Sequence, residues 1–390
     1  MPTLWPYQPN GPVLERLEWL TDVLESSSGV EQRIAQRRYP RRFFEFDVLL
    51  DGAMARTAEN LIAGNQDGEW YLPVWMDAER LAASLSAGAT SVPAGGSVRD
   101  YAAGNLLLLM GNTGASNEGV TVSASGASAV TLSTPTAATW PAGSTVAPLR
   151  TARLFPSLSM ARFTGASLYG RLRWQCVDAT DWTAASGETL YRSYPVMTHR
   201  TNWDQDPTRE YTRSLAVVDS GKGTPRWFEI AATPVAVQNH RWLCDGRAEI
   251  DTLRQWLFAR RGRLACFWQP SWARDLAVQA TIGASDTTID VEACGYTTYI
   301  AQAIGRRDIR IELVDGTTYY RRITASAVID ADTERLTISS ALGASVSPAN
   351  IYAVSFMHLA RLDADAVEIA WHRWDVAEAV FATRGIRNDL

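Results

Sequence analysis

Groups suited to acid–base or metal chemistry are scarce in this chain: histidine and cysteine number four each among 390 residues. His199, His240, His358 and His372 include no pair at the i, i+4 spacing that brings two imidazoles to one metal. Cys176, Cys244, Cys266 and Cys294 lie too far apart for a C-x-x-C site. We read them as reduced and structural, because a chain this long can bury a sizeable core without a disulfide staple. A zincin H-E-x-x-H, a nucleophile elbow G-x-S-x-G, a phosphate loop and a dinucleotide fingerprint are all missing. Gly221-Lys222-Gly223-Thr224 imitates the end of a phosphate loop without its upstream glycine, and reads as a hairpin turn. No apolar run approaches the ~18 residues of a membrane-spanning helix. The opening Met1 to Pro6 lacks the basic and apolar regions of a secretory signal, so synthesis in a cytoplasm is expected.

A formal charge of −5 supplies no electrostatic reason for nucleic acid or an anionic membrane as the main partner. With 46% hydrophobic and 20% charged residues, the chain is globular and has material for two or three packed domains. Its excess is tryptophan: 15 Trp, beside 13 Tyr and 10 Phe. Such side chains suit β-sheet cores, subunit interfaces and sugar-stacking surfaces alike.

The sequence also reads as one module written twice. Tyr39-Pro40-Arg41-Arg42-Phe43-Phe44-Glu45-Phe46 resembles Thr224-Pro225-Arg226-Trp227-Phe228-Glu229-Ile230 with one gap. Helix-like stretches follow at Thr57 to Ile62 and at Arg247 to Phe258, then aromatic strands at Glu69 to Trp75 and Arg263 to Pro270. Later, Val130 to Ser133 answers Leu336 to Ser339, and Ala152-Arg153-Leu154 answers Ala360-Arg361-Leu362. Between these lie segments rich in Ala, Gly, Ser and Thr with period-two alternation, as in Val120 to Ser123 and Ile309 to Leu313. Asp315-Gly316 marks a hairpin turn.

The fold class expected is therefore mainly β: two tandem, similar β-sandwich or barrel modules, each with a short helix and an inserted small β-domain. Boundaries are an N-terminal arm and helix over 1–35, a first module over 36–165 with an insert at about 84–146, and a linker and strand-exchange region over 166–210. A second module covers 211–372 with an insert at about 279–346, and a C-terminal tail covers 373–390. The helix in the arm is read from Leu14, Leu17, Leu20 and Leu24 at helical spacing.

Asp178, Asp181, Asp204 and Asp206 lie among Trp174, Trp182 and Trp203, which could mean acids beside a sugar-stacking surface, or turn-capping aspartates beside core tryptophans. The basic run Arg37-Arg38-Tyr39-Pro40-Arg41-Arg42 has three readings: an interface where arginine forks hold carboxylates, a protected strand edge, or a grip on DNA.

Trp5-Pro6, Leu17 to Leu24, Gly29 to Arg33 and Tyr39 to Arg42 resemble the start of minor tail proteins of long, flexible-tailed bacteriophages, and within them distal tail or upper baseplate proteins. The resemblance covers the first fifty residues or so. It implies a non-enzymatic, β-rich ring subunit of the virion tail tip, without cofactor or metal, between tail tube and hub. Expected partners are the chain itself, as a hexamer or a trimer with pseudo-sixfold symmetry, and the neighbouring tube, hub and fibre proteins, with DNA at most passing through the channel. Candidate interface residues are Trp5, Trp19, Glu31, Arg33, Arg37, Arg38, Arg41, Arg42, Arg226 and Trp227. On that reading Arg41→Glu with Arg42→Glu leaves the monomer folded and impairs assembly. The alternatives are a carbohydrate-binding module for the bacterial surface and a polysaccharide hydrolase.

Overall fold

The structure, a computed structural model, describes residues 2–26, 29–65, 68–112, 116–202, 208–213, 215–229 and 235–387, and it is mainly β, built on a large antiparallel sheet. The first half runs β1 (Thr3–Leu4), β2 (Val13–Glu18), β3 (Thr21–Glu25), β4 (Glu31–Ala35), β5 (Arg41–Asp51), α1 (Gly52–Gly64), β6 (Trp70–Pro73) and β7 (Glu79–Arg80). It continues through β8 (Ser91–Val92), β9 (Leu106–Met110), β10 (Asn117–Ser125), β11 (Val130–Leu132), β12 (Thr145–Leu154), β13 (Met160–Ala161) and β14 (Ser167–Cys176). A short hairpin, β15 (Leu190–Tyr191) and β16 (Tyr194–Pro195), leads to β17 (Arg209–Thr212), β18 (Leu215–Val218), β19 (Arg226–Glu229), β20 (Val235–Asp245), α2 (Arg247–Arg260) and β21 (Phe267–Pro270). The second half closes with β22 (Thr288–Glu292), α3 (Tyr296–Tyr299), β23 (Asp308–Leu313), β24 (Thr318–Val328), β25 (Thr333–Ile338), β26 (Ile351–Leu362), β27 (Ala366–Trp371) and β28 (Val376–Gly385).

Strand pairing in the first half recurs in the second, register for register. β6, β12, β14 and β5 neighbour one another in that order, as do β21, β26, β28 and β20. Ala152 lies opposite Trp70 and Cys176, and Ala360 opposite Phe267 and Gly385. Leu154 faces Trp174, which faces Phe44; Leu362 faces Thr383, which faces Gln238. At the root of each insert Leu149 of β12 faces Leu106 and Met357 of β26 faces Asp308, and within the inserts Val130 faces Val92 and Leu336 faces Ile289. Even the register shift between Val122 and Ala124 has its counterpart between Ile323 and Ala325. Each insert has its own apolar cluster, one around Leu107, Val130 and Trp140, the other around Ile309, Ile323 and Leu336.

One path through the sheet reads β13–β14–β5–β2–β27–β28–β20–β17. It is two blocks of four, each ordered the same way, joined where β2 meets β27. In the second block β27 stands for β13, and β17 stands for β2.

Several expectations need correction. The arm contains β2 and β3, not a helix over 14–24. In β2 the inward residues are Val13, Glu15 and Leu17, so a buried carboxylate interrupts the apolar alternation that would mark a strand. Leu20 and Leu24, which completed the helical pattern, are 43% and 56% exposed. The region 166–210 is not wholly linker, since β14 pairs along its length with β5. Residues 376–385, expected in a tail, form β28 between β20 and β27. The match between Pro40-Arg41 and Pro225-Arg226 joins unlike places: Arg41 begins β5, whose counterpart is β20, whereas Arg226 begins β19.

Candidate assembly interface

The joint between the two blocks is a six-residue antiparallel pairing from Val13↔Trp371 to Glu18↔Ala366. Beneath it lies a buried set of charges. Glu15 accepts from Arg42 (2.7 Å), from Arg254 of α2 (3.4 Å) and from the Trp371 indole N–H (2.8 Å). Asp100 accepts from Arg42 and Arg150, and Asp77 accepts from Arg247, from Arg254 (3.3 Å) and from the Asp100 backbone N–H (3.1 Å). Arg247 also donates to the Val98 carbonyl (3.2 Å), which seats α2 of the second half in the insert of the first. Burial by itself would raise the Asp100 carboxyl, but Arg150 and Arg42 outweigh it and hold it well below the usual carboxylate range. The same balance, with Arg254 and Arg247, lowers Asp77.

The β3–β4 hairpin extends this seat. Glu31 takes a bidentate pair of hydrogen bonds from Arg361 (2.7 and 2.9 Å), and Arg33 donates to the Cys266 sulfur at 2.6 Å. Asp365 accepts from the backbone N–H groups of Thr21 (2.8 Å) and Arg263 (2.9 Å). Gly262 has φ +65°, and a Cβ there would stand 2.5 Å from Asp365 Oδ1 and 3.1 Å from the Trp19 Cβ, so only glycine lets the chain pass.

The expected interface residues therefore divide. Trp5 and Trp19 belong to the core: Trp5 packs with Trp70 and Trp174 at centroid distances of 6.0 and 5.6 Å, and Trp19 with Phe258 at 5.6 Å. Glu31 and Arg33 bond across to Arg361 and Cys266 in the second half of the same chain, while Arg42 is buried against Glu15 and Asp100 of its own half. Arg37 is half-buried, 3.6 Å from the Glu18 carboxylate. Arg38 lies over the Tyr39 ring at 5.0 Å, and Arg38, Arg41 and Arg226 are exposed. Trp227 is 64% exposed on β19. Because Arg42 is buried among carboxylates, Arg41→Glu with Arg42→Glu is corrected: it breaks the fold and cannot report on assembly alone.

The acid-and-tryptophan cluster comes apart. Trp174 is in the core, and Trp182 donates to Asp251 (3.0 Å) with Arg254 over its ring at 4.6 Å. Asp178 accepts from Arg150 at 3.5 Å and Thr151 N–H at 3.4 Å, and burial raises its carboxyl despite Arg150. Asp181 and Trp182 line a cleft of about 310 Å³ with Tyr101 and Gln255. Trp203, Asp204 and Asp206 lie outside the described residues. Burial depresses His240 and His358 to about 3 and His199 to about 4. His199 stacks on Trp242 at 4.0 Å, and His240 on Phe381 at 5.2 Å. All four cysteines are free thiols, and no group of three metal-ligating side chains occurs among the described residues. Gly221 to Thr224 lies in the turn of the β18–β19 hairpin, where Gly221 N–H donates to Asp219 at 2.8 Å.

Sequence reasoning missed the buried charge set and the joint itself. Glu15 was the available signal: a carboxylate between Leu14 and Arg16, on an otherwise apolar inward face, needs partners. Neither a comparison with protein-family models nor one with curated proteins returns a match.

Proposed function

We propose that the chain is a non-catalytic structural subunit of a ring at the tip of a long bacteriophage tail, placed between the tube and the hub and receptor-binding parts. The observation that supports this reading is the joint: two blocks of the same strand order are fused side by side, an arrangement that further copies would extend around an axis. The likeness of the first fifty residues to minor tail proteins supplies the setting. With two blocks per chain, three copies would offer six similar contacts to a sixfold tube and three to a threefold hub. Partners on this reading are other copies of the chain and the adjoining tube, hub and fibre proteins.

Imaging of tail tips labelled with an antibody to this chain tests the placement. Label confined to the distal ring is the expected result. Label on the capsid, or turnover of host polysaccharide by the purified chain, would replace the proposal.

A further inference from the structure

The joint inside the chain also describes a joint between chains. Glu15 lies opposite Phe44, and Arg209 lies opposite Gln238, the counterpart of Phe44; Arg209 thus occupies the place of Glu15. Likewise Met160 faces Gly170 as Ile369 faces Ala379, so Met160 occupies the place of Ile369. Inside the chain Glu15 and Ile369 are opposite each other. Their counterparts are not: among the described residues β17 pairs only with β20, and β13 only with β14. The eight-strand path therefore ends in two edges of complementary kind.

Two further features mark the same surfaces. The β18–β19 hairpin follows β17 as β3–β4 follows β2, and Trp227 faces Val217 as Arg33 faces Val23. Where Arg33 meets Cys266 inside the chain, Trp227 is open to solvent beside the exposed Val217 and Phe228. The counterpart of Cys266 is Glu69, and of Arg361, Arg153, an exposed pair 3.5 Å apart on the first half. Second, the first insert receives α2 beside Val98, whereas in the second half a groove of about 730 Å³ lies open, lined by Arg209, Tyr211, Thr297, Tyr299 and His358. The counterpart of α2 is α1, whose Met54 is exposed.

We infer that a second copy of this chain docks head to tail, its β13 adding to β17 with Arg209 opposite Met160 and Tyr211 opposite Leu158. Trp227 then packs against Glu69 and Arg153 of the next copy, and α1 of that copy enters the groove beside Tyr299. Such a contact is heterologous, so it closes into a ring or runs on as a filament. The inference rests on reading the chain as a ring subunit, and names the edges and register by which it closes.

The test uses the full chain in a Cys294→Ser background, removing the exposed thiol, with Arg209→Cys and Met160→Cys added. Native mass measurement reads the oligomer, and mild oxidation followed by denaturing gels reads the register. A closed oligomer whose copies become covalently joined through these two positions is expected, and Arg209→Cys with Ala161→Cys, shifted by one residue and so on opposite faces, should join poorly. Trp227→Ser should weaken association about tenfold or more while leaving the fold intact. An oligomer that resists joining overturns this edge pairing and leaves the ring reading standing. A chain that stays monomeric to its solubility limit, and is absent from tail tips, overturns both.

Discussion

The arm β2–β3–β4 and its counterpart β17–β18–β19 hold the same position in the two halves and treat it oppositely. The first is sealed onto a neighbouring block, and its inward side chains include Glu15 and Glu31, each satisfied by arginine. The second presents Tyr211, Val218, Trp227 and Phe228 to solvent. A carboxylate can be buried only where its partners are permanent, because an unpaired buried charge is expensive. Aromatic groups tolerate both wet and dry surroundings, so their exposure here carries no comparable cost. The difference is between a covalent joint held by fixed ion pairs and an edge that leaves aromatic side chains exposed.

The greatest damage should follow from breaking the sealed side. Asp100→Ala leaves Arg42 and Arg150 facing each other without their shared carboxylate, and should cost about 3–5 kcal/mol by chemical denaturation. Gly262→Ala should cost about 1–3 kcal/mol, through strain at positive φ and contact with Asp365. A smaller loss by thermal melting would show that the seat of the arm yields locally.

Acid should separate the two halves. His240 and His358, on β20 and β26, are held neutral by burial, so the unfolded chain binds protons first and stability falls as pH drops from about 6.5 toward their folded values near 3. Asp77 and Asp100 have lowered values, so their contribution is complete above about pH 4 and fades below it. Hydrogen exchange should show β20 loosening at higher pH than β2. Simultaneous loosening would mean that the joint makes one cooperative unit.

On the open side the expected effects on stability are smallest. Trp227→Ser and Arg226→Glu, both exposed on β19, should each change the monomer by no more than about 0.5 kcal/mol, as surface substitutions do. A loss of several kcal/mol in either would place that side chain in the fold of the single chain.

Much of this was legible in residue order. Alternation and turn residues located β10, β23 and β24, and Ala152 and Ala360 fell on the same rung of both halves. The counterparts Thr57 to Ile62 and Arg247 to Phe258 lie on α1 and α2. What failed did so for physical reasons. A strand with a buried glutamate does not look like a strand, and β28, with Ala377, Ala379 and Phe381 inward, carries its signal mostly in alanine. Of the candidate interface residues, Glu31 and Arg33 find partners in the second half of the same chain, whereas Arg38, Arg41 and Arg226 are exposed: an arginine fork binds a carboxylate equally well within a chain or between chains, and residue order does not tell which.

β26 runs unbroken for 12 residues, from the apolar cluster of the second insert to the rung of Leu362 beside β28. The backbone thus forms a stiff spar across two packed bodies, with no flexible linker in this strand at which one could pivot on the other. A push on the second insert would arrive at the sheet as a tilt of that spar, so the insert and the part of the sheet beside β28 are mechanically a single part.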